Sequence, residues 1–397
     1  MPALAFAFIG LLWGVDYAWV GLVVVSASFL LRRCLQGYFS LSTPFDVPIA
    51  LFLVAAVIGV LVSPSWEISL GAFQSFLACV LLYYTLVNIS RPSFIKWGFA
   101  LAGLGVAAAF LLGFKDGVLV PPLVASLGDW VHKLTQHFPQ VPQPSEVVNP
   151  VLDNAYGIAM AVEVTLIPLI GIILFALKAL NKVAAILLSG LLLTILLLIG
   201  SQGAWLAVGV AVLFLLFCWS RWSLLPTSAA LAVGYWGFRH RWFDPHTFLF
   251  FHPDGSLTGR VPLWREAIGI IQQHPITGCG LGCLSQYSSD YTNPHNAYLQ
   301  LYSDMGIVGA IAFVYALVVL FKMGLKMLSS SRVHLWYGFA VGILAAILAI
   351  SIHAIFETSP VGILAEGAGT YYYIASPIFW VLAGLLVRSK RVLEIDS

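Results

Sequence analysis

Two short runs of residues have the types that chemistry on an anionic substrate requires. One is Gly259-Arg260-Val261-Pro262-Leu263-Trp264-Arg265; the other, further along, is Pro294-His295-Asn296-Ala297-Tyr298-Leu299. Arg260 carries a permanent planar charge that forks onto phosphate or carboxylate oxygens. The sequence places it at the mouth of a helix expected over 261–273, where unpaired backbone N–H groups favour anions. Pro262 falls in the first turn of that helix, where a missing N–H costs nothing. Arg265 lies beyond it, either as a second clamp or as a residue snorkelling at an interface. Imidazole titrates near neutrality, which suits His295 to general acid–base work or to a simple interfacial hydrogen bond. Asn296 and Tyr298 then orient it or contact a polar substrate directly.

The residues between and around these runs narrow the chemistry. The stretch His274-Pro275-Ile276-Thr277-Gly278-Cys279-Gly280-Leu281-Gly282 is glycine-rich but lacks the Lys-Ser/Thr ending of a nucleotide loop. Close backbone packing is its better reading. His240, His246, His252 and His274 stand near Asp244 and Asp254 without zinc-type spacing, so no metal site is expected. Cys279 and Cys283 either close on each other in an oxidising compartment or are two small residues of a turn. The second reading is favoured, because no metal partner has a recognisable spacing nearby. Glu163 falls near the middle of an apolar span, where a carboxylate is costly unless it faces protein or water. Glu357, Glu366 and His353 fall around the last outer loop, and a structural and a functional role are equally open for them.

These residues interrupt a chain of 397 residues that is 60% hydrophobic and 9% charged, with a mean hydropathy of +0.94. Soluble domains carry about 25% charged residues. The expected fold is therefore an all-α polytopic membrane bundle, a single integral domain over 1–397. The net charge of +2 is dispersed between spans and gives no reason to expect nucleic acid. Spans are expected near 2–14, 17–31, 47–62, 68–87, 94–114, 154–177, 182–199, 202–217, 224–238, 297–321, 333–355 and 371–387. Fusing the first two into one tilted helix gives eleven in place of about twelve. Met1 is followed directly by apolar residues, so a cleavable signal peptide is not expected.

The cations set the expected orientation. Arg32, Arg33, Lys178, Lys182, Lys322, Lys326, Arg388, Lys390 and Arg391 fall in short loops or the tail on one side, which the positive-inside rule assigns to the cytoplasm. Arg239, Arg241, Arg260 and Arg265 fall instead in a long loop over 239–296 on the other side. A second outer loop, 115–153, is proline-rich and reads as a lid or spacer on the membrane surface. Leu263, Trp264, Ala267, Ile268 and Ile271 share one side of the helix over 261–273, making it amphipathic.

Thr258-Gly259-Arg260, Trp264, Ala267, His274-Pro275, the glycines 278, 280 and 282, His295-Asn296, Leu299, Gly306 and Gly309 follow one another in a recognisable order. The pattern, over roughly 150–325, resembles the O-antigen ligase and O-antigen polymerase superfamily of membrane glycosyltransferases. The resemblance implies a helical GT-C-like fold and no cofactor. It implies a glycan donor linked by diphosphate to undecaprenol and a lipid or glycan acceptor on the outer face of a bacterial plasma membrane. It makes His295 the base or acceptor-positioning residue and Arg260 the residue that holds the diphosphate. One departure stands out. Where the superfamily has Ser-Arg-Gly, this chain has Ser201-Gln202-Gly203, so Gln202 replaces a second diphosphate arginine. Arg265, Arg239 or Arg241 would then supply the charge, or the donor differs. Ligase is the leading expectation, with polymerase and protein O-oligosaccharyltransferase as alternatives within the superfamily. A transporter of anionic lipid-linked sugar is the rival from another class.

Overall fold

The computed structural model describes residues 15–89, 103–104, 155–175, 179–199, 201–223, 257–284, 294–329, 335–357, 362–367 and 370–395. The expected spans at 2–14 and 224–238, nearly all of that at 94–114, and the loop 115–153 lie outside these residues. Among the described residues there are ten α-helices. In chain order they are α1 (Val15–Gln36), α2 (Asp46–Val62), α3 (Trp66–Val87), α4 (Ala155–Phe175), α5 (Ala179–Ile199), α6 (Gln202–Trp219), α7 (Leu257–Gln273), α8 (Ala297–Met327), α9 (Leu335–His353) and α10 (Pro377–Ile395). Four segments, Trp66–Val87, Ile158–Phe175, Ala297–Met327 and Trp336–His353, are long and apolar enough to cross a membrane.

Small residues let the helices approach closely, as helix packing in lipid favours. The tightest crossing joins α4 to α9. A methyl group on Gly171 would lie 2.5 Å from the Gly338 carbonyl oxygen, and one on Gly342 would lie 2.6 Å from the Pro168 Cα. On the other side of the bundle an aromatic core joins α2, α3, α8 and α10. Phe52 packs on Phe76, Phe313 and Trp380 with ring centroids 5.8–6.4 Å apart, and Phe76 meets Trp380 edge-on at 5.3 Å.

Two features differ from the sequence expectation. An antiparallel hairpin, β1 (Gly362–Gly367) with β2 (Thr370–Ala375), occupies the start of the expected span 371–387, so the fold is not purely helical. The run Thr370-Tyr371-Tyr372-Tyr373-Ile374 is aromatic and β-branched, which favours the pleated conformation over a helix. Pro377 then opens α10, since proline is pre-set for the first helical position. The second difference is α7, which begins at Leu257 rather than near 261. Arg260 therefore sits inside the first turn, and Pro262 lies within the helix, leaving the Thr258 carbonyl without its usual donor.

The helix ends sort into two groups. At one end the Thr43 hydroxyl and amide donate to Asp46 at 2.6 and 2.9 Å, while Tyr83 donates to Thr43 and Tyr84 to Asp46. Arg391 reaches the Ser42 carbonyl at the same end. The opposite end gathers the starts of α3, α6 and α8, the ends of α2 and α9, and the helix α7.

Candidate active site

His295 is positioned by four neighbours on three elements. Before it, the Pro294 carbonyl accepts from the Trp264 indole of α7 at 2.9 Å. After it, Asn296 caps α8, its side-chain oxygen accepting from the Tyr298 and Leu299 amides at 3.0 and 3.1 Å. The Ala297 amide donates to the Ala354 carbonyl at 2.8 Å, and the Tyr298 hydroxyl donates to the Ser351 carbonyl at 2.8 Å. Between these ties His295 adopts φ 47°, in the left-handed region, at a cost of about 1–3 kcal/mol for a residue other than glycine. The result is an imidazole that is 36% exposed while its Nδ1 faces Glu357 Oε2 at 3.2 Å. Glu357 itself is buried. A carboxylate on Nδ1 fixes the orientation of the ring.

A second carboxylate–imidazole pair lies deeper. Nδ1 of His353, on the last turn of α9, stands 2.8 Å from Glu163 Oε1 on α4, and both side chains are buried. At 2.8 Å the two groups face each other at hydrogen-bonding distance, and no other donor among the described residues reaches either Glu163 oxygen. Loss of one partner from such a buried pair costs about 3–5 kcal/mol. The two pairs lie close along the chain, since Ala354, next to His353, accepts from the Ala297 amide two residues after His295. Arg260 is half-buried on α7, one turn before Trp264, whose indole reaches the Pro294 carbonyl beside His295. The first turn of α6 closes this group from another side. A methyl on Gly203 would lie 3.0 Å from His353 Cδ2 and 3.2 Å from its Nε2.

Beneath the site, the glycine-rich turn packs backbone to backbone on α8. Gly306, at φ 62° and ψ −162°, breaks the helix there. The Cys279 amide donates to the Ser303 carbonyl at 2.8 Å, and the Ile307 amide to the Pro275 carbonyl at 3.1 Å. Gly278 and Gly306, both at positive φ, leave no room for a side chain: a methyl on Gly278 would meet the Asp304 carbonyl at 2.5 Å, and one on Gly306 would collide with the Ile276 carbonyl. The turn also joins Cys279 to Cys283 as a disulfide, with Cα atoms 5.8 Å apart, where the sequence favoured two small turn residues.

The expected site residues thus fall in three places. His295 and Arg260 lie on elements joined by the Trp264–Pro294 bond, and α6, which begins at Gln202, packs through Gly203 against His353. Nothing is described of the Gln202 side chain. Asn296 and Tyr298 adjoin His295, and each commits its polar atoms to the backbone. Arg265 is exposed on α7, and Arg239 and Arg241 lie outside the described residues. Among the described residues no group of three or more His, Cys, Asp or Glu side chains is placed to hold a metal ion. Sequence reasoning raised Glu163, His353 and Glu357 without pairing them. The available signal was a lone acid in an apolar span, which demands a partner; naming that partner requires knowing that α4 packs on α9.

The fold and the site define a multi-pass helical membrane protein with paired histidine and carboxylate groups and an arginine gathered at one end of its bundle. A family model described as O-antigen ligase matches residues 185–314, from within α5 to within α8. Over that stretch, about a third of the chain, the sequence is similar to the O-antigen ligase family. The matched residues include Arg260, the glycine-rich turn and His295. Comparison with curated proteins returns no match.

Proposed function

We propose that this protein transfers a glycan from an undecaprenyl-diphosphate carrier to an acceptor hydroxyl, at the outer face of a bacterial plasma membrane, as an O-antigen ligase. The observation that carries the reading is the His295–Glu357 pair, tied through the Trp264–Pro294 bond to the helix that bears Arg260, with His295 and Arg260 both in the stretch similar to the ligase family. In the step, the acceptor oxygen attacks the anomeric carbon, and the bond from that carbon to the phosphate oxygen breaks. His295 takes the hydroxyl proton at Nε2, and Glu357 balances the imidazolium that forms. Arg260 meets the charge that develops on the departing diphosphate. No metal or nucleotide enters this scheme, since the diphosphate is already a good leaving group.

The remaining elements have proposed parts in the same scheme. The helix α7 lies in an outer loop over 239–296, and the whole chain crosses the membrane about twelve times. Arg265, Arg239 and Arg241 line the approach for the donor, with Gln202 at the position of the superfamily's second arginine. Asn296 and Tyr298 hold His295 and border the acceptor. Ligase, polymerase and protein-modifying members differ in the acceptor, and a lipid core is the acceptor proposed here.

The test uses purified protein in liposomes with undecaprenyl-diphosphate glycan and separate lipid-core, glycan and peptide acceptors. His295→Ala is expected to lower kcat by about 10²–10⁴-fold, the usual contribution of a general base. Arg260→Ala is expected to lower it by about 10²–10³-fold, as for loss of one charge-stabilising donor. Wild-type rates in both variants would sink the assignment, and movement of donor between leaflets without product would replace it with transport.

A further inference from the structure

The buried pair Glu163–His353 has no part in the scheme above, and its place in the fold gives it another use. Glu163 stands on α4 shortly before Pro168 and Gly171, which make the tight crossing with Gly342 and Gly338 of α9. His353 is the last residue of α9, with its Nδ1 2.8 Å from Glu163 Oε1 and both side chains buried. For stability alone, apolar side chains of similar volume would serve as well, because the cost of drying two charges offsets their attraction. What a carboxylate facing an imidazole adds is direction: it fixes where the end of α9 lies against α4.

That fixed point governs Glu357, because the chain between them is a closed turn. The Ala354 amide donates to the Ile350 carbonyl at 2.8 Å, the Ile355 amide to Ile352 at 3.1 Å and the Phe356 amide to His353 at 2.8 Å. Glu357 leaves directly from this turn, and its Oε2 meets His295 Nδ1 at 3.2 Å. Two further elements grip the same segment. From α8, the Ala297 amide reaches the Ala354 carbonyl and the Tyr298 hydroxyl reaches the Ser351 carbonyl. From α6, a methyl on Gly203 would lie 3.0 Å from His353 Cδ2 and 3.4 Å from Phe356 Cβ. The α8 ties bind the turn to the element that begins beside His295. The Glu163 contact binds it to α4, and so to the rest of the bundle.

We propose that Glu163 and His353 are positioning residues for the transfer reaction. By pinning the end of α9, they hold the Glu357 carboxylate where it steadies the His295 ring, and neither of them touches substrate. This inference rests on the function proposed above, in which His295 takes the acceptor proton.

The experiment compares kcat and donor KM in liposomes for the wild type, Glu163→Gln, Glu357→Gln and the double variant, normalised to folded protein. Glu163→Gln keeps the side chain's size and removes its charge. It is expected to lower kcat by about 10–10²-fold with donor KM unchanged, as for a group displaced by about 1 Å. Where Glu357→Gln has already removed the carboxylate being positioned, the same substitution should lower kcat by less than about twofold. A merely structural pair would lower kcat by the same factor in both backgrounds, and that result overturns the inference. A wild-type kcat in Glu163→Gln does so as well. Gly203→Ala keeps both members of the pair and displaces only the His353 ring and Phe356, so it serves where Glu163→Gln folds poorly. It is expected to lower kcat several-fold in the wild-type background and not in Glu357→Gln. A second measurement needs no reaction. In a chain carrying His295→Cys and Glu357→Cys, dibromobimane should bridge the two thiols, and adding Glu163→Gln should slow the bridging several-fold. Unchanged bridging would overturn the inference and leave the proposed function in place. No transfer by the wild type would remove that function and this inference with it.

Discussion

Nδ1 of His295 faces Glu357 at 3.2 Å, and the proposed reaction uses the ring's other nitrogen to take a proton from the acceptor. The glutamate must then do two things, hold the ring and offset its positive charge, and only a carboxylate does both. Glu357→Gln keeps the size of the side chain and removes the charge. It is expected to lower kcat for glycan transfer by about 10²-fold or more, with little change in the donor KM. Initial rates in liposomes, normalised to the amount of folded protein, provide the check. An unchanged kcat would reduce Glu357 to a structural neighbour of His295. At this scale the sequence was legible where a side chain announces its own chemistry: Arg260 and His295 stand out in an apolar chain. Glu357 and Glu163 do not, because a carboxylate's role depends on what faces it. Their partners stand 62 residues away for Glu357 and across the α4–α9 crossing for Glu163.

Among the elements, the glycine-rich turn against the broken α8 fixes where the site can be. The break at Gly306 lets the start of α8, with its Asn296 cap, turn away from the lower part of the helix. The turn holds that break through the Cys279, Gly280 and Ile307 amides. Gly278→Ala forces a side chain into a left-handed backbone and against the Asp304 carbonyl, at a cost of about 1–3 kcal/mol from the backbone alone. Gly269→Ala, in α7 with open space around it, is expected to stabilise by about 0.5–1 kcal/mol or leave stability unchanged. Thermal unfolding of both variants in detergent checks the pair, and equal melting temperatures would show that the turn is not a packing constraint. The glycines were legible as close packing in the sequence, since their number at short spacing has few other uses. The hairpin was not, because a run of apolar aromatic residues satisfies the hydropathy of a span and the propensity of a strand alike. Only the pairing of Gly362–Gly367 with Thr370–Ala375 decides it. The Cys279–Cys283 bond was likewise open, since proximity in a turn is necessary for it but not sufficient.

At the scale of the whole molecule, the described cations are divided between the two ends of the bundle. Arg32 and Arg33 lie near the end of α1, Lys322 and Lys326 near the end of α8, and Arg388, Lys390 and Arg391 in the C-terminal half of α10, all toward the end opposite the site. The described cations at the site end are Arg260 and Arg265 on α7. Cations at short inner loops anchor a membrane protein against translocation, so this division predicts the site end outward. An outward site is also what an undecaprenyl-linked glycan requires once it has been moved across the membrane. The chain contains its own reporter for the opposite end: Cys34 is exposed beside Arg33, whereas Cys79 and Cys218 are buried and Cys279 is joined to Cys283. A membrane-impermeant maleimide should therefore leave the wild-type protein unlabelled in right-side-out spheroplasts and label it in inverted vesicles. Arg265→Cys adds a thiol on the exposed face of α7, and this variant should label in the spheroplasts as well. Labelling of Cys34 from outside, with Arg265→Cys reached only from inside, would reverse the orientation. Such a result would place Arg260 and His295 on the side where a translocated donor is absent, and the transfer reaction proposed for them could not occur.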